Sequence, residues 1–351
     1  MGLSSRLRDP RDPLRRFIQS QFAHVDTIKR DLRERAPVLN FAPPDVEGYV
    51  LARIGWALDY RLRLYFPGSS PFDTTAVQGA AQLARRVERA DETAYLYNVM
   101  FKTLHGELTV LPEAEQRRYV LDDMDAVMEL TERLEREGQL SGGLIPVPRG
   151  FVALGRAIES EIGRLKPVGR VLDANDEWRL CGLSYLLGLY ENPRYRAAAS
   201  DSVIARIALL EDVNAQLAFV PEVALDDVSA MSRKFAEVAS DLFGQSSIVD
   251  AHFPPRSSSW SVAEVDLVVG STLIDIKTTR TLPTGLSLIY QLVGYLLADA
   301  EDFYGITEVG WYLARYGTLV TWPVAEFLDK LAGRTVDLAS LRARVLPIEQ
   351  W

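Results

Sequence analysis

Residues 264–277 read Glu-Val-Asp-Leu-Val-Val-Gly-Ser-Thr-Leu-Ile-Asp-Ile-Lys, two apolar runs on either side of Gly270-Ser271. Short apolar runs joined by two residues, one of them glycine, predict a β-hairpin, and glycine at the first central position suits a II′ turn. A two-residue loop fixes the register. Counting outward, Val269 faces Thr272, Val268 faces Leu273, Leu267 faces Ile274, and Asp266 falls opposite Asp275. Like charges directly opposite each other destabilise a sheet. Lys277 shares the face of Asp275, because strand side chains alternate with period two. Two carboxylates and an ammonium therefore gather at one spot, and a hard divalent cation with oxygen ligands is the simplest relief of their repulsion.

The rest of the chain sets the context for that hairpin. Its 351 residues suffice for one elaborated domain or two. With 48% apolar residues, 25% charged residues and a net charge of −9, the composition is that of an acidic soluble protein. No global basic field attracts polyanions, so any nucleic-acid affinity has to come from a local patch. The single Cys181 excludes an internal disulfide framework, a multi-cysteine zinc site and a four-cysteine iron–sulfur cluster, and fits a reducing compartment. No apolar signal core follows Met1, and the longest apolar stretch, about 286–300, is interrupted by Gln291 and Gly294 and too short to span a bilayer. The expectation is a cytoplasmic protein with no membrane partner. Arginines number 33 against six lysines, a bias that suggests a GC-rich bacterial genome and makes a lysine beside two aspartates more informative.

Three regions follow from the patterning. Residues 1–40 open with Arg6, Arg8, Arg11, Arg15 and Arg16 among prolines and predict a basic, mobile arm, either a solvated tail or a segment that contacts phosphates. Residues 41–225 read as helical. Asp45 is the expected N-cap of a helix over 45–66 with the stripe Val50, Ile54, Leu58, Leu62 and Tyr65. Within it Asp59 forms either an i,i+4 ion pair with Arg63 or part of a site. Further helices are expected over 74–90, 91–104, 112–137, 149–165, 175–190 and 192–217, with linker-like punctuation at 141–148. The 178–187 stretch is apolar nearly all round and reads as a buried helix. Residues 226–351 supply a helix capped by Asp226-Asp227, a Pro/Ser-rich loop over 250–260, the hairpin, a helix over 286–300, a second hairpin around Tyr316-Gly317 and a helix over 324–332. There is no Walker-type loop, dinucleotide fingerprint or nucleophile elbow, and three histidines make a histidine-based triad a poor reading.

The order helix, strand with Asp266, strand with Asp275-Ile276-Lys277, then helix with Gln291-Leu-Val-Gly-Tyr295 resembles the PD-(D/E)XK nuclease superfamily. The Gln-x-x-x-Tyr element resembles its RecB-like branch, and the likeness covers about residues 226–335. It implies an α+β, helix-rich fold: a small mixed-sheet, restriction-endonuclease-like core over 226–351, with a large helical region before it. It implies a metal-dependent nuclease, with DNA as the favoured nucleic acid and Mg²⁺ or Mn²⁺ held by Asp266, Asp275 and the Ile276 carbonyl. Lys277 and Gln291 would join Asp266 and Asp275 in catalysis, and Tyr295 would orient the lysine or the substrate. RecB-like members also resemble one another in an early-helix Gly-x-x-x-His; Gly55-Trp-Ala-Leu-Asp59 has that spacing, with aspartate where histidine is usual. Asp59 is thus the first candidate for an additional ligand, beside Glu237 and Asp241, and would make 70–225 an insertion into a split core. The alternative is an inactive nuclease-fold protein that binds nucleic acid or acts as a scaffold, of the kind found in bacterial defence or mobile-element systems, with the helical region as a protein-partner module.

Overall fold

A computed structural model of the chain describes residues 3–36, 38–67, 146–191, 203–253 and 263–345, together with isolated residues between 76 and 95. The chain divides into two compact units. One comprises Met1–Ser69, Leu165–Cys181 and Glu222–Trp351; the other comprises Ser70–Arg164 and Gly182–Pro221. The described helices are α1 (Leu3–Arg8), α2 (Pro13–Gln21), α3 (Val25–Arg35), α4 (Gly48–Arg63), α5 (Arg149–Leu165), α6 (Ala174–Glu191), α7 (Val203–Leu209), α8 (Val213–Leu217), α9 (Glu222–Val238), α10 (Leu286–Ala298), α11 (Val324–Ala332) and α12 (Leu338–Val345). The strands of the first unit are β1 (Ser247–Phe253), β2 (Ala263–Val269), β3 (Thr272–Lys277), β4 (Glu308–Leu313) and β5 (Thr318–Pro323).

These five strands form one mixed sheet in the order β1-β2-β3-β4-β5. All neighbours are antiparallel except β3 and β4, which run parallel. A parallel pair needs a crossover, and α10 supplies it. The fold is α+β and helix-rich, as expected.

The hairpin turn takes the expected form. Gly270 has φ +57° while Ser271 is not left-handed, which separates a II′ turn from a I′ turn, where both central residues need positive φ. Its ladder pairs Val269 with Thr272, Val268 with Leu273 and Leu267 with Ile274. Described pairing stops there, one step before the expected pair Asp266–Asp275. Beyond it the Asp266 carboxylate takes the backbone N–H of Ile276 at 2.6 Å, so a side chain continues where the backbone ladder ends.

Helices cover both faces of the sheet within this unit. On one side Ile289, Leu292, Val293 and Leu296 of α10 pack into a buried apolar cluster with Val265, Val268, Leu273, Val309 and Trp311, joined by residues of α1, α2, α3, α11 and α12. On the other, the Tyr312 ring of β4 stands edge-on to Phe235 of α9 at 4.8 Å, and Tyr65, just after α4, joins the same aromatic group. In the second unit, Phe151 meets Tyr190 edge-on at 4.9 Å, and the Gln216 side chain donates to the carbonyls of Gly150 and Leu210.

Several expectations are corrected. Residues 3–35 are three packed helices rather than a mobile arm: Leu7, Leu14, Ile18, Phe22, Ile28 and Leu32 are buried in the main cluster. Each such side chain contributes roughly 1.5–3 kcal/mol, the stabilisation a free arm lacks. Helix α4, expected either with the helical region or with the core, lies in the unit that holds the sheet, and so do residues 165–181, which were expected in the helical region. Helix α4 starts at Gly48 after Glu47 rather than at Asp45, and α9 starts at Glu222, four residues before Asp226. The loop expected over 250–260 begins as an edge strand, β1, reaching Phe253. The helix expected over 192–217 is two short ones in its described part, α7 and α8. The helices expected over 74–90, 91–104 and 112–137, and the linker before Pro146, lie outside the described residues but for a few positions.

Candidate active site

The end of β3 brings the predicted residues together. In the parallel register Asp275 lies beside Trp311 and Lys277 beside Leu313, so both side chains are on the face that α10 covers. Gln291 and Tyr295, one turn apart on α10, meet them there. Lys277 Nζ stands 2.5 Å from Asp275 Oδ2 and donates to Gln291 Oε1 at 3.5 Å. Gln291 Nε2 donates to the Tyr295 hydroxyl at 2.5 Å, and that hydroxyl donates to Asp275 Oδ1 at 3.5 Å. The four side chains close a ring. Asp266 stands against it, tied to the strand through the Ile276 N–H.

Burial and charge set the protonation of the cluster. Burial first, then the charge of Asp275, pushes the Asp266 carboxyl up to about 7, although Lys277, Arg63 and the Ile276 N–H pull it back. For Lys277 burial alone would favour the neutral amine. Asp275 and Asp266, with Asp59 adding to them, outweigh it and hold the ammonium above its usual range. The Tyr295 phenol is pushed well above its ordinary value by burial and then by the two aspartates, so it stays a donor. Lys277 is therefore a fixed cation at neutral pH, suited to stabilising negative charge rather than to accepting a proton.

Helix α4 approaches the site from the other layer of the sheet. A Cβ on Gly55 would lie 2.9 Å from the Thr278 hydroxyl, immediately after Lys277, so glycine permits the approach. One turn on, Asp59 is bound by both Nε and Nη2 of Arg63, the i,i+4 ion pair foreseen from the sequence, and is also among the charges acting on Lys277. Glu237 instead pairs with Lys234 at 2.8 Å with its side chain exposed, and Asp241 lies exposed in a 3₁₀ turn.

Three further residues bear on the site and carry no sequence signal, because their partners are remote in the chain. Ser4 of α1 accepts from Gln291 Nε2 at 3.2 Å. Arg63 lowers the cost of ionising Asp266. Arg315, buried after β4, donates from Nε to the Thr278 carbonyl at 3.3 Å and pairs with Asp227, pinning the chain where it leaves β3.

Among the described residues no three His, Cys, Asp or Glu side chains stand together in an arrangement that could hold a metal ion. The donors at the end of β3 nevertheless suit a hard cation: they are oxygens, burial and the Asp275 charge raise the cost of ionising Asp266, and buried Asp275 Oδ2 has the Lys277 ion pair but no aligned hydrogen-bond donor among the described residues. Fold and site define an α+β protein with a buried carboxylate–lysine cluster at the end of a central strand. No protein-family model, curated protein sequence or solved structure matches the chain. No helix among the described residues is long and apolar enough to cross a membrane.

Proposed function

We propose that the chain is a metal-dependent nuclease of the PD-(D/E)XK type that hydrolyses phosphodiester bonds, with DNA the favoured substrate. The observation that carries this reading is the closed ring of Asp275, Lys277, Gln291 and Tyr295 with Asp266 coupled to it. Residues chosen for their chemistry from the sequence meet within hydrogen-bonding distance across 20 positions of chain. A structural ion pair needs one acid and one base, not two acids, a half-buried amide and a buried phenol around one lysine.

A Mg²⁺ or Mn²⁺ ion would be held by Asp266, Asp275 and the Ile276 carbonyl, and when bound supplies a lowered pKa for water and a Lewis acid for the phosphoryl oxygens. Lys277 neutralises charge that builds on those oxygens as water adds to phosphorus and the ester oxygen leaves. Gln291 fixes the ammonium through its carbonyl, and Tyr295 holds Gln291 and Asp275 in one orientation. Asp59, if released by Arg63, is a further carboxylate for the cation.

Incubation with linear, circular, single- and double-stranded DNA in Mg²⁺ or Mn²⁺ tests the reading. Cleavage is expected, and Asp275→Ala and Lys277→Ala are expected to lower its rate by about 10²-fold or more, the usual scale for loss of a transition-state charge partner. Activity that survives unchanged in both variants, or no cleavage of any substrate, removes the proposal. A second reading, a nucleic-acid-binding scaffold without turnover, is favoured by the charge balance of the cluster, where Lys277 and Arg63 are already paired with Asp275 and Asp59. Salt-dependent DNA binding with no metal-dependent cleavage distinguishes it. Protein partners of the helical region are part of the same alternative.

A further inference from the structure

The N-terminal arginines fall into two groups. Arg6 pairs with Asp12 at 3.1 Å and ties α1 to α2, and buried Arg15 lays its guanidinium 4.5 Å from the centre of the Tyr290 ring and ties α2 to α10. Arg8, Arg11 and Arg16 are exposed. Arg11 reaches Asp9 at 3.5 Å, whereas Arg8 and Arg16 have no ion-pair partner among the described residues. The Arg11 backbone N–H, and after it the charges of Arg11 and Arg16, hold the Asp9 carboxyl below its usual range, which puts Arg16 beside the same turn. Arg11 and Arg16 thus act on one partly exposed carboxylate, and Arg8 stands exposed at the end of α1 beside them.

The same hairpin of helices borders the candidate active site. Leu3 lies over Gly294, where a Cβ would come within 2.9 Å of Leu3 Cδ1, and Ser4 accepts from Gln291. Ser4 and Arg8 are four residues apart on α1 and share one face, separated by about one 5.4 Å turn of helix. A polar track therefore runs from Lys277 through Gln291 and Ser4 to Arg8 and the Arg11–Arg16 turn. In a chain of net charge −9 this local excess of cations is the kind of patch that polyanion binding requires.

We propose that the exposed face of α1 and the α1–α2 turn, formed by Ser4, Arg8, Arg11 and Arg16, takes the backbone phosphates of a nucleic-acid strand leading into the site. The inference rests on the nuclease reading for the position of the reacting phosphate, and it makes its own prediction about binding. Each strand of a duplex presents a phosphate about every 3.4 Å of axis, so Arg8 and the turn contact different phosphates.

The test uses full-length protein carrying Asp275→Ala, with a fluorescein-labelled duplex and a single-stranded oligonucleotide, read by anisotropy between about 50 and 200 mM salt. The triple substitution Arg8→Gln/Arg11→Gln/Arg16→Gln is expected to weaken binding about tenfold and to flatten the log–log salt slope by about two to three. Replacement of exposed arginines on α3, Arg30→Gln/Arg33→Gln, is expected to change neither. Repeating the titration on otherwise intact protein in EDTA guards against misfolding of Asp275→Ala. An unchanged affinity and slope in the triple variant overturns the proposal, as does absence of binding by the parent. The two readings fail separately: cleavage by the native chain with unaltered binding in the triple variant removes the hairpin surface alone. Weakened binding in that variant, with no cleavage by the native chain, removes the nuclease and keeps the surface.

Discussion

Asp266 is held in a state that an isolated aspartate does not choose. Its ordinary value of 3.8 is raised to about 7 in the folded protein, through burial and then through Asp275. Between those values the folded chain binds more protons than the unfolded one, so the stability contributed by this group is present at low pH and is lost as pH rises through about 7. At pH 8 the ionised carboxylate costs on the order of 2–4 kcal/mol in the metal-free protein. Asp266→Asn keeps an acceptor for the Ile276 N–H and removes the charge. In EDTA it is expected to raise Tm by several degrees at pH 8, with the gain shrinking toward pH 5; an unchanged or lower Tm at pH 8 means that the carboxylate is not under strain. What was legible at this scale is what local pattern encodes. Asp266, Asp275 and Lys277 follow from a two-residue turn and a period of two, and Gln291 and Tyr295 from a helical spacing. Ser4, Arg63 and Arg315 were not legible as site residues, because a hydroxyl or a guanidinium gains its role from what the fold lays beside it.

At the scale of elements, the site depends on how closely α4 approaches the end of β3. A methyl group on Gly55 would sit 2.9 Å from Thr278 Oγ1, closer than real Cβ contacts allow. Two opposing effects then act in Gly55→Ala. The helix gains about 1 kcal/mol from replacing glycine, and the crowded contact costs about 1–3 kcal/mol. A double-mutant cycle separates them. Gly55→Ala is expected to be more stabilising in a Thr278→Ala background than in the native one, by about 1 kcal/mol or more in urea unfolding. Additive effects mean that α4 does not rest on Thr278. The elements themselves were unevenly legible. Helix α11 and the II′ hairpin came through with their ends correct, since capping, glycine and periodicity agree there. Strand β1 was missed because Asp250 and His252 interrupt its apolar residues and prolines follow. Helices α1 and α2 were missed because six and nine residues rich in arginine and proline are short, and packing against α10 adds to the Asp12 cap and Pro13 start that α2 does carry.

At the scale of the molecule, the unit that carries the site is assembled from three separated lengths of chain; the Gly55–Asp59 spacing pointed to the first, and no local pattern marks residues 165–181. One contact fastens two of them. Arg61 of α4 binds Glu177 of α6 through Nε to Oε1 at 2.9 Å and Nη2 to Oε2 at 2.5 Å, across 116 positions, and both side chains are fully buried. The guanidinium also lies 4.2 Å from the centre of the Tyr65 ring. A buried pair of this kind adds little net stability over apolar packing, but losing one partner strands the other charge without solvent. Glu177→Gln is therefore expected to cost about 3–5 kcal/mol, while Arg61→Met with Glu177→Leu recovers most of that loss. Cys181 offers an internal reporter. Its thiol donates to Glu177 Oε1 at 3.5 Å, and burial, followed by the Glu177 charge, pushes its pKa well above the ordinary value. Alkylation then requires the unit to open, and in the regime where labelling follows the open population it is expected to accelerate by about two to four orders of magnitude in Glu177→Gln. The paired replacement returns labelling close to the native rate. If Glu177→Gln leaves both the urea midpoint and the labelling rate unchanged, this pair does not hold α4 to α6.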